Sequence, residues 1–134
     1  MKIMLDKGAI APTRAHPWDA GLDLYAMHDG LVDCSETFDT GVHVEIPEGW
    51  VGFIKSKSGL MVNHNITTDG TIDAHYTGSI KVKLFNHGES YYLVHAGDKI
   101  AQLVLVPCFQ PRLELVDSLD ETDRGDNGFG STGR

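Results

Sequence analysis

Side chains able to do chemistry gather in the stretch Gly70 to Phe85, GTIDAHYTGSIKVKLF. Asp73 and Tyr76 stand three residues apart, just ahead of Gly78. Ile80, Val82 and Leu84 then fall on one face, and Lys81 and Lys83 on the other. A period of two marks a half-buried strand. The expectation is a tight hairpin or loop, opened by Gly70 as a turn residue, that feeds this strand and carries Asp73 and Tyr76 at its mouth. Loop side chains held on rigid strands are where binding and catalysis concentrate. The blander alternative is an aspartate that forms a turn and a tyrosine that packs at half burial.

A second cluster, Lys55-Ser56-Lys57-Ser58-Gly59-Leu60, places two cations and two hydroxyls in four residues. Leu60 to His64 is short enough for one helical turn, with Ser58 as its cap. Free N–H groups at a helix start, beside a hydroxyl and an ammonium, suit a phosphate. The alternative is a solvated polar turn. From Asp117 the chain becomes polar, DSLDETDRGDNGFGSTGR, and reads as a mobile tail. Gly128, Gly130 and Gly133 match the dinucleotide-binding fingerprint by letter. That fingerprint needs a strand before it and a helix after it, and only Arg134 follows. The tail's phosphate chemistry survives this exclusion. Glycine backbones leave N–H groups open, Ser131 and Thr132 add hydroxyls, Arg124 adds charge and Phe129 offers a stacking face.

Many short strands must position these groups. Lys2 to Leu5 reads as a first strand, and Lys7 to Trp18, with two prolines, as a loop. Leu22, Leu24 and Ala26 alternate with Asp23 and Tyr25, which puts Asp23 opposite the leucines. That face is either solvated or holds a cation through water. Val42, Val44 and Ile46 point inward from the next strand, and Pro47-Glu48-Gly49 forms a turn. Further strands are expected at Trp50 to Ile54, Tyr91 to Val94 and Lys99 to Val106, with turns at His87-Gly88-Glu89 and Ala96-Gly97-Asp98. The apolar run at 99–106 fits a strand buried on both faces. Gln102 interrupts it, and either knits the core or points into a site.

The 134 residues suggest one domain with a core of its own. An apolar share of 41% with 22% charged residues is ordinary for a globular chain, and 15 glycines favour short strands. A net charge of −8 argues against a general nucleic-acid binder, but a local basic cluster can still take a small polyanion. Cys34 and Cys108 read as reduced thiols in a cytoplasmic protein. No signal peptide or membrane span is expected. Seven scattered histidines form no metal-ligand spacing, so no structural zinc site is expected.

Five segments in order now resemble one family: AGLDLYA (20–26), KSKSGL (55–60), DGTIDAHYTGSI (69–80), GDKIAQLVL (97–105) and RGDNGFGSTG (124–133). The chain resembles the trimeric dUTPases. The resemblance implies an all-β fold, a distorted jelly-roll barrel over residues 1–119 with one short helical turn. Residues 120–134 would form a flexible arm that closes over a neighbouring subunit's site as a lid. It implies a homotrimer with shared active sites that converts dUTP and water to dUMP and pyrophosphate, with Mg²⁺ on the triphosphate.

By the same resemblance, Asp73 deprotonates the attacking water and contacts the sugar 3′-hydroxyl. Tyr76 packs under the deoxyribose and excludes a 2′-hydroxyl. Backbone around Thr67, Thr68, Gly70 and Ile72 pairs with the uracil edge. Lys57, Ser58, Gly59 and Gln102 hold the phosphate chain, and Asp23 supports the magnesium through water. Arg124, Gly130, Ser131 and Thr132 grip the γ-phosphate, and Phe129 stacks on uracil. The chain departs from the family pattern at Lys57, where arginine is common, and at Thr77 and Ser79, where arginine and glutamate are frequent. It is also about three residues shorter between Leu60 and Gly70, so Thr67 or Thr68 replaces a uracil-facing asparagine. Two other functions stay open: a dCTP deaminase of the same fold, disfavoured by Asp73 with Tyr76, and a nucleotide-dependent regulatory module.

Overall fold

Alternating burial along short strands organises the molecule. The computed structural model describes residues 1–126. Within them lie β1 (Lys2–Leu5), β2 (Gly21–Tyr25), β3 (Gly30–Val32), β4 (Ser35–Asp39), β5 (Val42–Glu45) and β6 (Trp50–Lys55). Then come α1 (Ser58–His64), β7 (Ile66–Thr67), β8 (Asp69–Ile72), β9 (Lys81–Asn86), β10 (Tyr92–Val94) and β11 (Lys99–Pro107). The largest sheet runs β2-β11-β6-β8, a second runs β4-β9-β7, and β1-β5 and β3-β10 form two-stranded sheets. Every pairing is antiparallel. This is an all-β architecture of the jelly-roll type with one short helix.

The inward positions are aliphatic, as the alternation requires. Val82 and Leu84 of β9 are fully buried, with Ile80 just ahead of them, and Val42 and Val44 of β5 belong to the same core. Leu24, Phe38, Ile54, Ile100 and Leu103 complete its centre. Full burial of one such side chain stabilises by about 1.5–3 kcal/mol. Lys81 and Lys83 of β9 are exposed, opposite the buried set.

Four strands fall where no periodicity pointed. β4 pairs with β9 over five residues, yet only Phe38 of its SETFD is fully buried, so its apolar signal is one residue long. β3 and β7 are too short to show a period, and β8 buries only Ile72. Gly70 is a correction: it lies inside β8 opposite Ile54 and is not a turn residue. Ile66–Thr67 pairs with β9 while Asp69–Ile72 pairs with β6, so residues 66–72 cross between two sheets and form no hairpin. β11 is central between β2 and β6 as its apolar run implied, but Val104, Leu105 and Val106 are only half-buried.

Ser58 is the second correction. Lys57 takes the N-cap position with extended backbone (φ −78°, ψ 131°), Ser58 is the first helical residue, and no side chain caps the helix. α1 buries none of its residues and ends at Asn65 in the left-handed region. No helix among the described residues is long and apolar enough to cross a membrane.

Candidate active site

Two strand ends position the turn that carries Asp73 and Tyr76. Ile72, at the end of β8, is buried at one side, and Ile80, just before β9, is buried at the other. Ile80 N–H donates to the Val42 carbonyl at 2.9 Å, and Thr40 Oγ1 donates to the Ile80 carbonyl at 2.7 Å. The Ser79 hydroxyl bonds Asp39, whose carboxylate also accepts from Gly41 N–H at 2.9 Å. Burial pushes the Asp39 carboxyl up, but these bonds outweigh it and hold its pKa below the ordinary value. The His43 ring reaches the Thr77 carbonyl at 2.7 Å and Asp6 at 3.2 Å. Each contact ties the turn to a neighbouring strand or loop, which gives it a rigid scaffold.

Inside the turn, Tyr76 N–H donates to the Asp73 carbonyl at 3.2 Å, and His75 sits at φ +69°. Tyr76 folds back so that its hydroxyl donates to the Ser79 carbonyl at 3.1 Å. That ring lies where a side chain on residue 78 would go: a Cβ there would stand 2.5 Å from Tyr76 Oη. The Asp73 carboxylate and the Tyr76 ring are both exposed.

A second constellation forms where β2, β11 and the end of β6 meet. A cavity of about 300 Å³ is lined by Ala15, Asp19, Ala20, Gly21, Asp23, Lys57, Gln102 and Val104. Gln102 stands opposite Asp23 on β2 and opposite Lys55 on β6. Its side-chain amide lies against Gly21, where any Cβ would overlap it. Gln102 therefore points into a cavity and is half-buried.

Asp23 does not lie on a solvated face. It is 7% exposed, and its carboxylate makes two ion pairs: Oδ1 with Lys57 Nζ at 2.6 Å and Oδ2 with Lys99 Nζ at 2.8 Å. Burial pushes the carboxyl up, and the two lysines together more than offset it, so the pKa lies below the ordinary value. Lys99 is raised in turn by its bond to Asp23. Backbone bonds between Thr13 and Asp23 cover the outer edge of β2. Arg14 and His16 each bond Asp19, which shapes the loop over the cavity.

The remaining residues divide by placement. Ser58 and Gly59 open α1, with free space around Gly59. Thr67 shares a 2.7 Å hydrogen bond with His87. Thr68 is 5% exposed, and its hydroxyl is buried without a partner. Its backbone is clamped by Ser56 Oγ, which accepts from Thr68 N–H and donates to its carbonyl, both at 2.9 Å. Thus the two threonine side chains point at His87 and into the interior, and the backbone of Gly70 and Ile72 belongs to β8. Arg124 lies in the irregular segment after β11. Phe129, Gly130, Ser131 and Thr132 lie outside the described residues. Asp73 and Tyr76 do not line the Asp23 cavity, so the two constellations are separate within one chain.

The sequence did not single out Lys99 or His43, and it offered Ser56 as a hydroxyl for phosphate where the structure uses it to clamp Thr68. Lys99 was hidden by a bulge: the β11 register shifts between Lys99 and Ala101. Lys99 and Gln102 are three apart, which in a regular strand puts them on opposite faces. The extra residue turns Lys99 to the face of Gln102 and Asp23. Nothing in the letters marks a bulge there.

Similarity to known proteins identifies the family. The dUTPase family model matches residues 7–133. The deoxyuridine 5′-triphosphate nucleotidohydrolase of Syntrophotalea carbinolica is 43% identical over 136 residues, covering 96% of this chain and 92% of that protein. That of Gloeothece citriformis is also 43% identical, with the same coverage. Among solved structures, a mutant Staphylococcus bacteriophage 80alpha dUTPase with dUpNHpp superimposes with a TM-score of 0.88 at 29% identity, over 99% of this chain and 98% of that one. A mutant dUTPase of S. aureus phage phi11, described with a structural Mg(II) ion, gives 0.82 at 27% identity over 90% and 98%. The chain belongs to the dUTPase family.

Proposed function

We propose that this protein hydrolyses dUTP to dUMP and pyrophosphate, removing dUTP from the nucleotide pool and supplying dUMP. The observation that carries the reading is the fastened turn in which exposed Asp73 stands beside a Tyr76 ring folded over Gly78. A carboxylate within reach of water is a sufficient base when the leaving group is a neutralised pyrophosphate. Water oxygen bonds the α-phosphorus, its proton passes to Asp73, and the bond to the β-phosphate bridging oxygen breaks. Phosphoryl transfer of this kind depends on charge neutralisation and in-line positioning more than on covalent help. Tyr76 forms the wall under the sugar and has no room for a 2′-hydroxyl.

The Asp23 cavity takes the phosphate chain, with Lys57, Ser58, Gly59 and Gln102 as its donors. Arg124, with Gly130, Ser131, Thr132 and Phe129, belongs to an arm that covers the nucleotide. The backbone around Thr67 and Thr68, stiffened by Ser56, borders the uracil. A backbone edge rejects cytosine because its own groups would be left unpaired.

Magnesium fits this chain as an ion carried by the triphosphate. Among the described residues no three His, Cys, Asp or Glu side chains converge as a cage, and Mg²⁺ is commonly held by phosphates and one or two carboxylates. Asp23 is the buried carboxylate of the cavity, able to reach the ion through water once Lys57 vacates Oδ1. When bound, the ion neutralises the phosphate oxygens and the leaving group.

Assembly as a homotrimer with shared sites is part of the same proposal. Support comes from the separation of the two constellations and from the segment after β11. There Leu113 and Leu115 are 90% and 101% exposed and alternate with charged residues. A barrel unit over residues 1–119 with an arm over 120–134 accords with the absence of strand or helix between Pro107 and residue 126, the last described. A cytoplasmic setting suits the reaction and the free thiols of Cys34 and Cys108.

Incubation of the protein with Mg²⁺ and, separately, dUTP, dCTP, dTTP and UTP tests the reading by chromatography of the products. dUMP from dUTP alone is the expected result. Conversion of dCTP to dUTP or dUMP would make the protein a deaminase. No reaction with any of the four would bring the regulatory module forward.

A further inference from the structure

Lys99 makes one of the two ion pairs on Asp23, yet it does not line the cavity. Its Nζ lies 5.9 Å from the centre of the Tyr25 ring, and Tyr25 Oη is held by Thr13 Oγ1 at 2.5 Å. Lys57 differs from it. Its side chain forms part of the cavity wall, and its residue is the N-cap from which α1 departs. The two ammonium groups therefore flank one buried charge, one from a residue that lines the cavity and one from a residue outside its lining.

A buried carboxylate left without a cation is strongly disfavoured. If Lys57 were the sole partner of Asp23, moving it to a ligand would strand that charge. With Lys99 in place, Asp23 keeps one ion pair after Lys57 has gone. The bulge in β11 is what makes this arrangement available, because it turns Lys99 onto the Asp23 face.

We propose that Lys99 is a positioning residue for phosphate binding: it retains Asp23 so that Lys57 can leave the carboxylate for the triphosphate. This deepens the proposed hydrolysis and rests on it for the role of Lys57. Lys99 itself touches no substrate. Its effect appears in affinity, because the release of Lys57 precedes chemistry.

The test compares the full chain with Lys99→Met, Lys99→Arg, Lys57→Met and the double methionine variant. It reads kcat and KM for dUTP and the dissociation constant of dUpNHpp. In Lys99→Met, KM and the dissociation constant rise together by about tenfold, with kcat within about threefold of wild type. Lys99→Arg restores both. In a Lys57→Met background, Lys99→Met adds less than about threefold, because no lysine remains to be released. Unchanged affinity in Lys99→Met, full additivity in the double variant, or an arginine variant as weak as the methionine one each overturns the proposal. Should Lys99→Met fail to fold, Lys99→Gln keeps a donor for Asp23 without the charge and carries the same expectation. The wild-type rate on dUTP is read first. A wild type that leaves dUTP intact refutes hydrolysis, while dUpNHpp affinity across the variants still decides the role of Lys99.

Discussion

His43 of β5 holds the Thr77 carbonyl at 2.7 Å from one ring nitrogen and the Asp6 carboxylate at 3.2 Å from the other. Both partners only accept, so a ring with both nitrogens protonated satisfies both, and a neutral ring loses one. The bond to Thr77, then the bond to Asp6, raise the His43 pKa above 6.5, and Asp39 adds to this from a greater distance. Lys2 and Glu45, which line a shallow groove together with His43 and Thr77, pair with each other and nearly cancel.

The pH dependence follows from the sign of that shift. A raised folded pKa contributes stability that is fully present below the unfolded value of 6.5 and is lost as pH rises through the folded value. Thermal midpoints of wild type and His43→Phe are expected to differ most near pH 5 and to converge toward pH 8 or so. A gap independent of pH would show that His43 acts by packing alone.

Gly78→Ala would displace the Tyr76 ring, since the new methyl would stand 2.5 Å from its hydroxyl. Discrimination of dUTP over UTP is expected to fall by about tenfold or more, the range for one misplaced wall of a pocket. Overpacking also lowers stability by about 1–3 kcal/mol. Competition between the two nucleotides at matched concentration measures the first effect, and urea denaturation the second.

Asp73→Asn keeps the shape of the turn, because the turn bond to Tyr76 uses the Asp73 backbone carbonyl and not its carboxylate. Folding and dUpNHpp affinity should be retained while turnover falls by about 10²–10⁴-fold, the usual contribution of a positioned base. Single-turnover kinetics with dUTP measures the loss. Wild-type-like turnover would remove Asp73 from the role of base.

Deleting residues 124–134 should leave assembly unchanged, because the core strands end at Pro107. Turnover is expected to fall on the order of 100-fold if the arm holds the triphosphate in register, as small misplacements cost that much. Sedimentation and steady-state rates on the truncated chain separate the two effects. An unaffected rate would show that the arm is no lid.

Acid should expose the Asp23 cluster. Its depressed pKa means stability that is present above the ordinary value of 3.8 and is lost as pH falls through the folded value. Asp23→Asn is expected to cost about 2 kcal/mol at neutral pH, below the cost of breaking a fully buried pair because Lys99 is partly exposed. Denaturation curves at neutral and acid pH check this: the difference between the two proteins should shrink as pH drops.

Strands whose aliphatic residues alternate can be read from the letters alone, because burial of one face writes a period of two into them. β9, with Val82 and Leu84 against Lys81 and Lys83, and β5, with Val42 and Val44, are of this kind. The letters also mark the turn at Pro47-Glu48-Gly49, where Gly49 takes φ +77°. Asp73, Tyr76 and Gln102 could be singled out as candidates because their types and order match a family pattern, and Lys57 because it stands between two serines at the start of a short helix. Features that depend on contacts between distant segments emerge only in the folded chain. The two sheets that divide residues 66–72 are set by partners in β6 and β9. Ser56 clamps Thr68, and His43 fastens Thr77, across 12 and 34 residues. The fate of Asp23 belongs here too. Strand periodicity alone placed it opposite the leucines, but only the bulge in β11 and the loop through Thr13 bury it between two lysines. A bulge is a change of register between two strands, and register exists only once both strands are paired.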